Sequence, residues 1–507
     1  MFFRLNSAAI SGLTGLLLEI ECYVSGGLPS FTIVGIPQAQ AAASRERIRS
    51  ALKSAGFSLP ASRITINVRS LKPSLQPDSS SLRALDVPIA LSILACEKQI
   101  PTAKMDRYIY LGELGLNGEI KPLYGALCMA REALRAGSSL SGILLPAENA
   151  SEAALCESLP VYGIHSLQEL MDSLRSRRMP AKAEAVIPQP AEAESVFDSI
   201  SGQSIGKRVI TIAAAGMHNI LLIGPPGCGK TMLSHALPSL LPPLAYEQQL
   251  ELTEIYSNSH LLPQDTSMLI DRPFRQPHHT TTAIALIGGG NIPRPGEITL
   301  AHHGVLFLDE LPEFSRSAIE SMREPLEEHK VRISRLNGTF SYPADFLLSA
   351  AMNPCPCGYY PDRNLCRCPE NKVQAYYEKI KSPLFDRIDL ICTLRAVQPE
   401  DIGNTGDITF SQAREAVLKV HEIQAGRFKD CIVYNSRMDP DAIARYCTLE
   451  APIQEFFLKA IRQYHLSMRG YHKILRVART IADLEEKPDI GMTHLAEALQ
   501  YRSVLGI

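Results

Sequence analysis

Apolar and polar positions alternate in FTIVGI (31–36) and RITINV (63–68), the period of a half-buried strand. Between them AQAAASRERIRSALKSAG (39–56) has helical composition and stops at Gly56, so a strand–helix–strand unit is expected. DVPIALSILA (86–95) and LYGALCMAREALRAG (123–137) read as helices and GILLP (142–146) as a strand, which makes residues 1–175 a mixed α/β domain. RRMPAKAEAVIPQPAEAES (177–195) is rich in proline and alanine without apolar periodicity, and 176–197 reads as a linker. A second α/β unit, 198–395, follows. KRVITIAAAG suggests a helix, NILLIG (219–224) a buried strand, and TMLSHALPSLL the helix after a glycine-rich turn. GVLFLDE (304–310) is a further strand, RSAIESMREPLEEH a helix, and FLLSAAMNP (346–354) a third strand. Residues 396–507 show helical patterns alone, as expected of a small all-α domain.

Composition narrows the class. The chain has 507 residues, 45% hydrophobic and 21% charged, which fits a folded protein of about three domains. Lys+Arg 51 against Asp+Glu 53 leaves a net charge of -2, so no global positive field draws it to nucleic acid, and any DNA contact must be local. The opening MFFRLNSAAISGLTGLLLEIECYV carries Gly12 and Gly15 within its apolar run and carboxylates at Glu19 and Glu21, unlike a leader peptide. No stretch approaches the ~20 apolar residues of a membrane span, and a cytoplasmic protein with no membrane partner is expected. The 12 cysteines, with no secretory signal, favour free thiols or a metal site over a disulfide framework.

Gly224-Pro225-Pro226-Gly227-Cys228-Gly229-Lys230-Thr231 matches GxxxxGK[ST] between an apolar strand and a helix, the context a phosphate-binding P-loop requires. Backbone N–H groups turn around the β-phosphate, Lys230 reaches the β/γ-phosphates of ATP, and Thr231 ligates Mg²⁺. In LFLDE, Asp309 ends an apolar strand where it can hold Mg²⁺ through water, and Glu310 is placed to polarise the attacking water. Asn353, ending the third strand, is expected near the γ-phosphate, and Arg387 in SPLFDRIDL is the candidate arginine finger. Taken singly, such an Asn is a turn former and such an Arg a surface ion pair; their order after the P-loop and LFLDE gives them weight.

With GPPGCGKT, the segments RPFRQPHHT (272–280), IGGGNIPRPGEITLAHHGVLFLDELPEF (287–314), MNPCPCGYY (352–360), SPLFDRIDL (382–390) and RGYHKILRVARTIADLEE (469–486) resemble the magnesium-chelatase-like AAA+ ATPases of the YifB/ComM family over nearly the whole chain. The resemblance implies a ribosomal-S5/Lon-like N-terminal α/β domain, a P-loop AAA+ α/β core and a small all-α C-terminal lid. It makes Asn353 the first sensor, Arg476 the second-sensor arginine and Arg387 a finger serving a neighbouring subunit. It also implies a homo-oligomer, a hexameric ring, and for ComM-type members a helicase that promotes branch migration of recombining DNA in natural transformation. The runner-up is a chelatase- or chaperone-type remodeller of a protein partner, without nucleic acid.

The chain departs from the family in KPSLQPDSSSLRALDVPIAL (72–91), where members read something like PKEGSGFDLPIAL. The positions that align with the Ser–Lys dyad of Lon fall near Ala84 and at Leu127, and neither side chain can do that chemistry, so no protease is expected. Cys355, Cys357, Cys366 and Cys368 bring four thiols into 14 residues. Their CxC-x8-CxC spacing suits one tetrahedral Zn²⁺; a redox-sensitive cluster and ordinary turn cysteines are the alternatives. His278-His279 and His302-His303 would point to opposite faces of extended segments with no carboxylate fixed nearby, which favours a structural or DNA-loop role over metal. VRISRLNGTFSY (331–342) reads as a hairpin turning at Asn337-Gly338. Arg332 and Arg335 on it can contact phosphate or remain solvated, and with the 272–296 insertion this hairpin is the candidate DNA contact.

Overall fold

The computed structural model describes the chain except residues 73–74, 138–139, 190–195, 264–265, 291–293, 336–337, 382–383, 399, 401–407, 429–432, 465 and 504–507, and except the side chains of 335, 380, 381 and 503. The opening run, which the sequence reading left without a structure, is an antiparallel hairpin of Phe2–Ser11 and Thr14–Ser25, with Phe2 opposite Tyr23 and Ile10 opposite Gly15. Thr14–Ser25 pairs antiparallel with Arg63–Ser70, and Ser30–Val34 lies parallel beyond that strand. Helix Gln38–Ser54 joins these last two, so the expected strand–helix–strand unit is present. On the other side of the hairpin, Tyr108–Tyr110, Gly142–Pro146 and Val161–Ile164 add in parallel to complete seven strands. Helix Asp86–Cys96 is apolar apart from Asp86 and Ser92, and every residue of it is buried, Asp86 being paired with Arg47 at 2.6 Å.

The second sheet has five parallel strands in the order Phe274–Arg275, Val305–Leu308, Leu347–Met352, Ile220–Ile223, Leu390–Thr393. Its three inner strands are buried throughout, which is why VLFL, LLSAAM and ILLI are continuous apolar runs and not alternating ones. The segment 316–329 forms two helices instead of one, Arg316–Ser321 and Arg323–Glu328, broken at Met322. The proline ring at 325 would clash with the carbonyl four residues back, at Ser321, and the helix gives way just after that residue. Helices Phe410–Arg427, Pro440–Tyr446, Ala451–Gln463, Met468–Leu484 and Met492–Ser503 make up the C-terminal region. They share one apolar cluster with the second sheet and its helices: Val417, Phe457, Leu475 and Leu495 pack with Val209, Leu222 and Leu233.

Helix Tyr246–Asn258 ties the first sheet's domain to the second. Leu250 and Met268 join the first domain's apolar cluster, and Ser257 donates to the buried Glu152 carboxylate at 2.6 Å while accepting from the Gly125 N–H at 2.8 Å. The proline-rich connection is fastened too: Ala183 N–H donates to the Val161 carbonyl at 2.9 Å, and Phe197 is buried beneath the Lys207 ammonium.

Candidate nucleotide site

The loop 224–231 leaves the C-terminal end of strand Ile220–Ile223 and opens helix Lys230–Leu240. Gly227 and Gly229 have φ of 78° and 91°, a region other residues adopt at a cost, and that curl turns successive N–H groups toward one point. Lys230 is 9% exposed. Its ammonium donates to the carbonyls of Gly224 (2.6 Å) and Pro225 (2.9 Å) and to Asn353 Oδ1 (3.1 Å), which uses all three of its protons. Burial holds its pKa below the ordinary lysine value. Asn353 reaches Lys230 because the parallel register sets Ile223 beside Met352, one residue before it.

Thr231 Oγ1 lies 3.4 Å from Asp309 Oδ2, so the two expected magnesium ligands sit together. Glu310 follows with φ 52° and ψ 45°, its N–H donating to Asp309 Oδ1 at 2.9 Å. His279 Nδ1 lies 3.3 Å from Glu310 Oε2. Nothing in the sequence signals this contact: His278-His279 read there as a pair on an extended segment with no carboxylate fixed nearby.

Arg387 and Arg476 are elsewhere. They line a cavity of about 390 Å³ with Asn219, Glu327, Asp389, Arg437, Arg469 and Lys473. Asn219 precedes strand Ile220–Ile223 and Asp389 precedes Leu390–Thr393, so this cavity opens at the N-terminal edge of the sheet, opposite the P-loop. A four-residue strand spans roughly 13 Å, too far for either guanidinium to reach phosphates held by Lys230 of the same chain. Arg387 is paired with Glu327, and Arg476 donates to the Met438 carbonyl.

The four clustered cysteines converge. Cys355 Sγ is 3.2 Å from Cys357 Sγ and 3.7 Å from Cys366 Sγ, Cys357 and Cys366 are 3.6 Å apart, and all four sulfurs lie within 4.8 Å of one another. Four thiolates about 2.3 Å from a central Zn²⁺ have sulfurs about 3.8 Å apart, so the donor set fits that ion. The backbone N–H of Tyr359 pulls the Cys357 thiol down to about 6, which favours the thiolate a metal needs, while burial pushes Cys366 up to about 11.

Both histidine pairs correct the sequence reading. Their rings lie against each other, at 4.1 Å for His278–His279 and 3.7 Å for His302–His303, because His303 adopts φ 57° in a turn and Thr281 N–H closes a turn on His278. Each pair also has a carboxylate beside it, Glu310 for His279 and Glu251 for His302 and His303. For the second pair metal is disfavoured by the tautomer: His302 Nδ1 accepts the Asp345 N–H at 3.0 Å, so Nε2, facing Glu251, carries the proton.

The hairpin is an antiparallel ribbon of Lys330–Arg335 and Gly338–Pro343; Asn337 lies outside the described residues, as does the Arg335 side chain. It does not stand free. Val331, Ile333 and Tyr342 pack into the second sheet's apolar cluster with Phe340 and with Leu13 of the N-terminal hairpin turn, leaving Arg332 exposed and paired with Glu328 at 3.5 Å. Leu127 and Ala84 are buried, and the Leu127 N–H donates to Glu152.

A five-stranded parallel sheet with a glycine-rich loop and an acidic strand end at its C-terminal edge defines the P-loop AAA+ class. Family models described as magnesium chelatase, subunit ChlI, subunit ChlI of Mg-chelatase, and magnesium chelatase, subunit ChlI C-terminal match residues 196–402, 20–149 and 409–502. Competence protein ComM of Haemophilus influenzae is 38% identical over 98% of this chain and 97% of its own length. The uncharacterized protein YifB of Salmonella typhimurium is 37% identical over 98% of this chain and 96% of its own length. Lon protease 2 of Bacillus subtilis is 29% identical over 27% of this chain and 26% of its own length. The chain belongs to the magnesium-chelatase-like family of ComM and YifB. Among the described residues no helix is long and apolar enough to cross a membrane.

Proposed function

We propose that the protein is an ATP-hydrolysing ring motor that acts on DNA, a helicase or branch-migration enzyme supporting recombination of incoming DNA in natural transformation. The observation that carries the ATPase reading is the division of the site between two edges of one sheet. Lys230, Thr231, Asp309, Glu310 and Asn353 cluster at one edge, and Arg387 and Arg476 at the other. A chain so built hydrolyses ATP when a neighbour's arginine edge meets its P-loop edge, and repetition of that heterologous contact closes a ring, a hexamer in this reading. Thr231 and Asp309 hold Mg²⁺ with the phosphates, Glu310 orients and deprotonates water, Asn353 hands Lys230 to the γ-phosphate, and Arg387 with Arg476 stabilises the charge that leaves with it. The four cysteines hold Zn²⁺. Domains are assigned as 1–175, 198–395 and 396–507, with 176–197 between, and the cytoplasm as the working compartment.

DNA is the chosen substrate because the ComM relative, a competence protein by name, is similar along the whole chain, and because Arg332 is exposed on a ribbon outside the sheet. The test is the ATPase rate with and without single-stranded and branched DNA at two salt concentrations, since phosphate contacts weaken with salt. Stimulation that fades with salt supports the motor; turnover indifferent to every DNA favours remodelling of a protein partner.

A further inference from the structure

We infer that the four-cysteine centre governs the nucleotide loop: zinc held by Cys355, Cys357, Cys366 and Cys368 keeps the P-loop in its binding shape, so that ATP affinity depends on the metal. This rests on the zinc reading above and extends it to the regulation of the ATP site.

Three connections run from the centre to the loop. Met352 accepts the Gly224 N–H at 3.2 Å and Asn353 accepts from Lys230, and only Pro354 separates these residues from the fully buried ligand Cys355. Gly358, in the turn that follows Cys357, lies directly on the P-loop. At φ 87°, a methyl group added there would come within 2.7 Å of Pro226 Cδ. That turn is itself built on a ligand: the Gly358 N–H donates to the Cys355 carbonyl at 2.9 Å and the Tyr360 N–H to Cys355 Sγ at 3.4 Å.

Apart from the sulfurs, the segment is held by turn hydrogen bonds, such as Cys366 N–H to the Asp362 carbonyl at 2.7 Å, and by Cys355, Tyr360 and Cys366 in the apolar cluster. Between strand Leu347–Met352 and helix Glu370–Lys381 there is neither helix nor strand. The four sulfurs converge from positions up to 13 residues apart, and closing that loop costs chain entropy, which metal coordination offsets; the free energy of binding the ion is then the free energy of ordering the loop. Without the ion the sulfurs lose the bonds that draw all four to one point, Gly358 is free to leave Pro226, and the curl that aims the loop's N–H groups loses its outer wall. The centre sits on the outside of the phosphate site and contributes no ligand to it, so its influence is on the shape of the loop and not on the chemistry.

The experiment uses the full chain and reads zinc content and binding of a fluorescent ADP analogue on the same samples. Zinc removed by a chelator, with the fold checked by circular dichroism, should weaken binding by about tenfold or more, and one equivalent of Zn²⁺ should restore it. Gly358→Ala is expected to retain one zinc per chain and still bind the analogue at least about fivefold more weakly. A zinc-free, folded chain that binds as tightly as the zinc form overturns the inference, as does Gly358→Ala with unchanged affinity. Should the stripped chain unfold, the Gly358→Ala result decides. A chain that neither carries zinc nor takes it up removes the zinc reading itself and the inference with it, whereas zinc that leaves without effect on binding removes the inference alone.

Discussion

His279 Nδ1 lies 3.3 Å from Glu310 Oε2, a contact between the segment that follows the sheet's edge strand and the carboxylate assigned to activate water. Glu310 sits in the left-handed region at the end of its strand, so its side chain is aimed by local backbone geometry and restrained by this one histidine. His279→Ala should therefore free the carboxylate and raise basal ATP turnover. Half-exposed pairs of this kind contribute roughly 0.2–1 kcal/mol, which limits the rise to about fivefold. Steady-state hydrolysis without DNA measures it, and a fall in rate would mean that the histidine instead helps place Glu310.

Lys230 and Glu310 should fail in different ways. Lys230→Ala removes the ammonium that three oxygens now hold ready for phosphate, and nucleotide binding should be lost. Glu310→Gln keeps the shape and the binding but cannot accept a proton, so ATP should be retained unhydrolysed, with turnover down by about 10²–10⁴. Equal affinity and turnover in both variants and the parent protein would remove the site assignment.

The motifs were legible where backbone demands restrict the residue type. Gly227 and Gly229 need positive φ, and Asp309 needs an apolar strand to carry it to the sheet edge, so GPPGCGKT and LFLDE announce themselves. Strand Leu390–Thr393 is hard to read because its apolar run is only four residues long and directly follows the charged Asp386, Arg387 and Asp389. The opening hairpin was obscured by its length and by glycines that resemble breaks. Partners brought by tertiary folding were invisible: Glu251 is 52 residues from His303, and nothing in either segment signals the meeting. Arg387 and Arg476 were recognisable as a type, but which sheet edge they occupy is a property of the closed fold.

That edge yields a prediction about assembly. Arg387 cannot serve the P-loop of its own chain, so Arg387→Ala mixed with Lys230→Ala should recover part of the lost ATPase activity, because some interfaces then pair an intact loop with an intact arginine. Mixed rings confirmed by mass measurement and still inactive would argue that Arg387 acts only through its pairing with Glu327.

Asp389 anchors the same edge. Its carboxylate meets Lys473 Nζ at 2.9 Å, the Asn219 N–H at 3.2 Å and His218 Nδ1 at 3.5 Å. Burial pushes its pKa up, but Lys473 and His218 outweigh burial and hold it well below the usual carboxylate range. A folded value below the unfolded one stabilises the fold fully above about pH 4, and the contribution is lost as pH falls below that. Burial keeps Lys473 below its ordinary value, a penalty constant through the acid range that reduces the pair's net worth without changing the sign. Lys473→Met leaves the carboxylate buried with less compensation and should cost about 3 kcal/mol at pH 7, with a smaller difference from the parent protein at pH 3. Urea midpoints at the two pH values test both statements.

The DNA contact is the assignment that depends most on local charge. With a net charge of -2 the protein has no long-range attraction for phosphate, so a few arginines must supply it. On the ribbon, alternation sends Val331 and Ile333 into the core and leaves Arg332 on the outer face. The last described pair of the ribbon sets Arg335 opposite Gly338, and a two-stranded ribbon is narrow enough to enter a channel. Its inner face is packed against Leu13 and the apolar cluster under the second sheet, so the ribbon is braced against the nucleotide-binding core. Arg332→Ala with Arg335→Ala should therefore weaken DNA binding, reduce the salt slope by about one contact for each arginine that touches phosphate, and impair unwinding. Basal ATP turnover should stay near the parent value, because the ribbon supplies none of the residues assigned to hold the nucleotide. Unwinding of branched DNA by the double variant at the parent rate would place the contact elsewhere, with the 272–296 segment the next to be substituted.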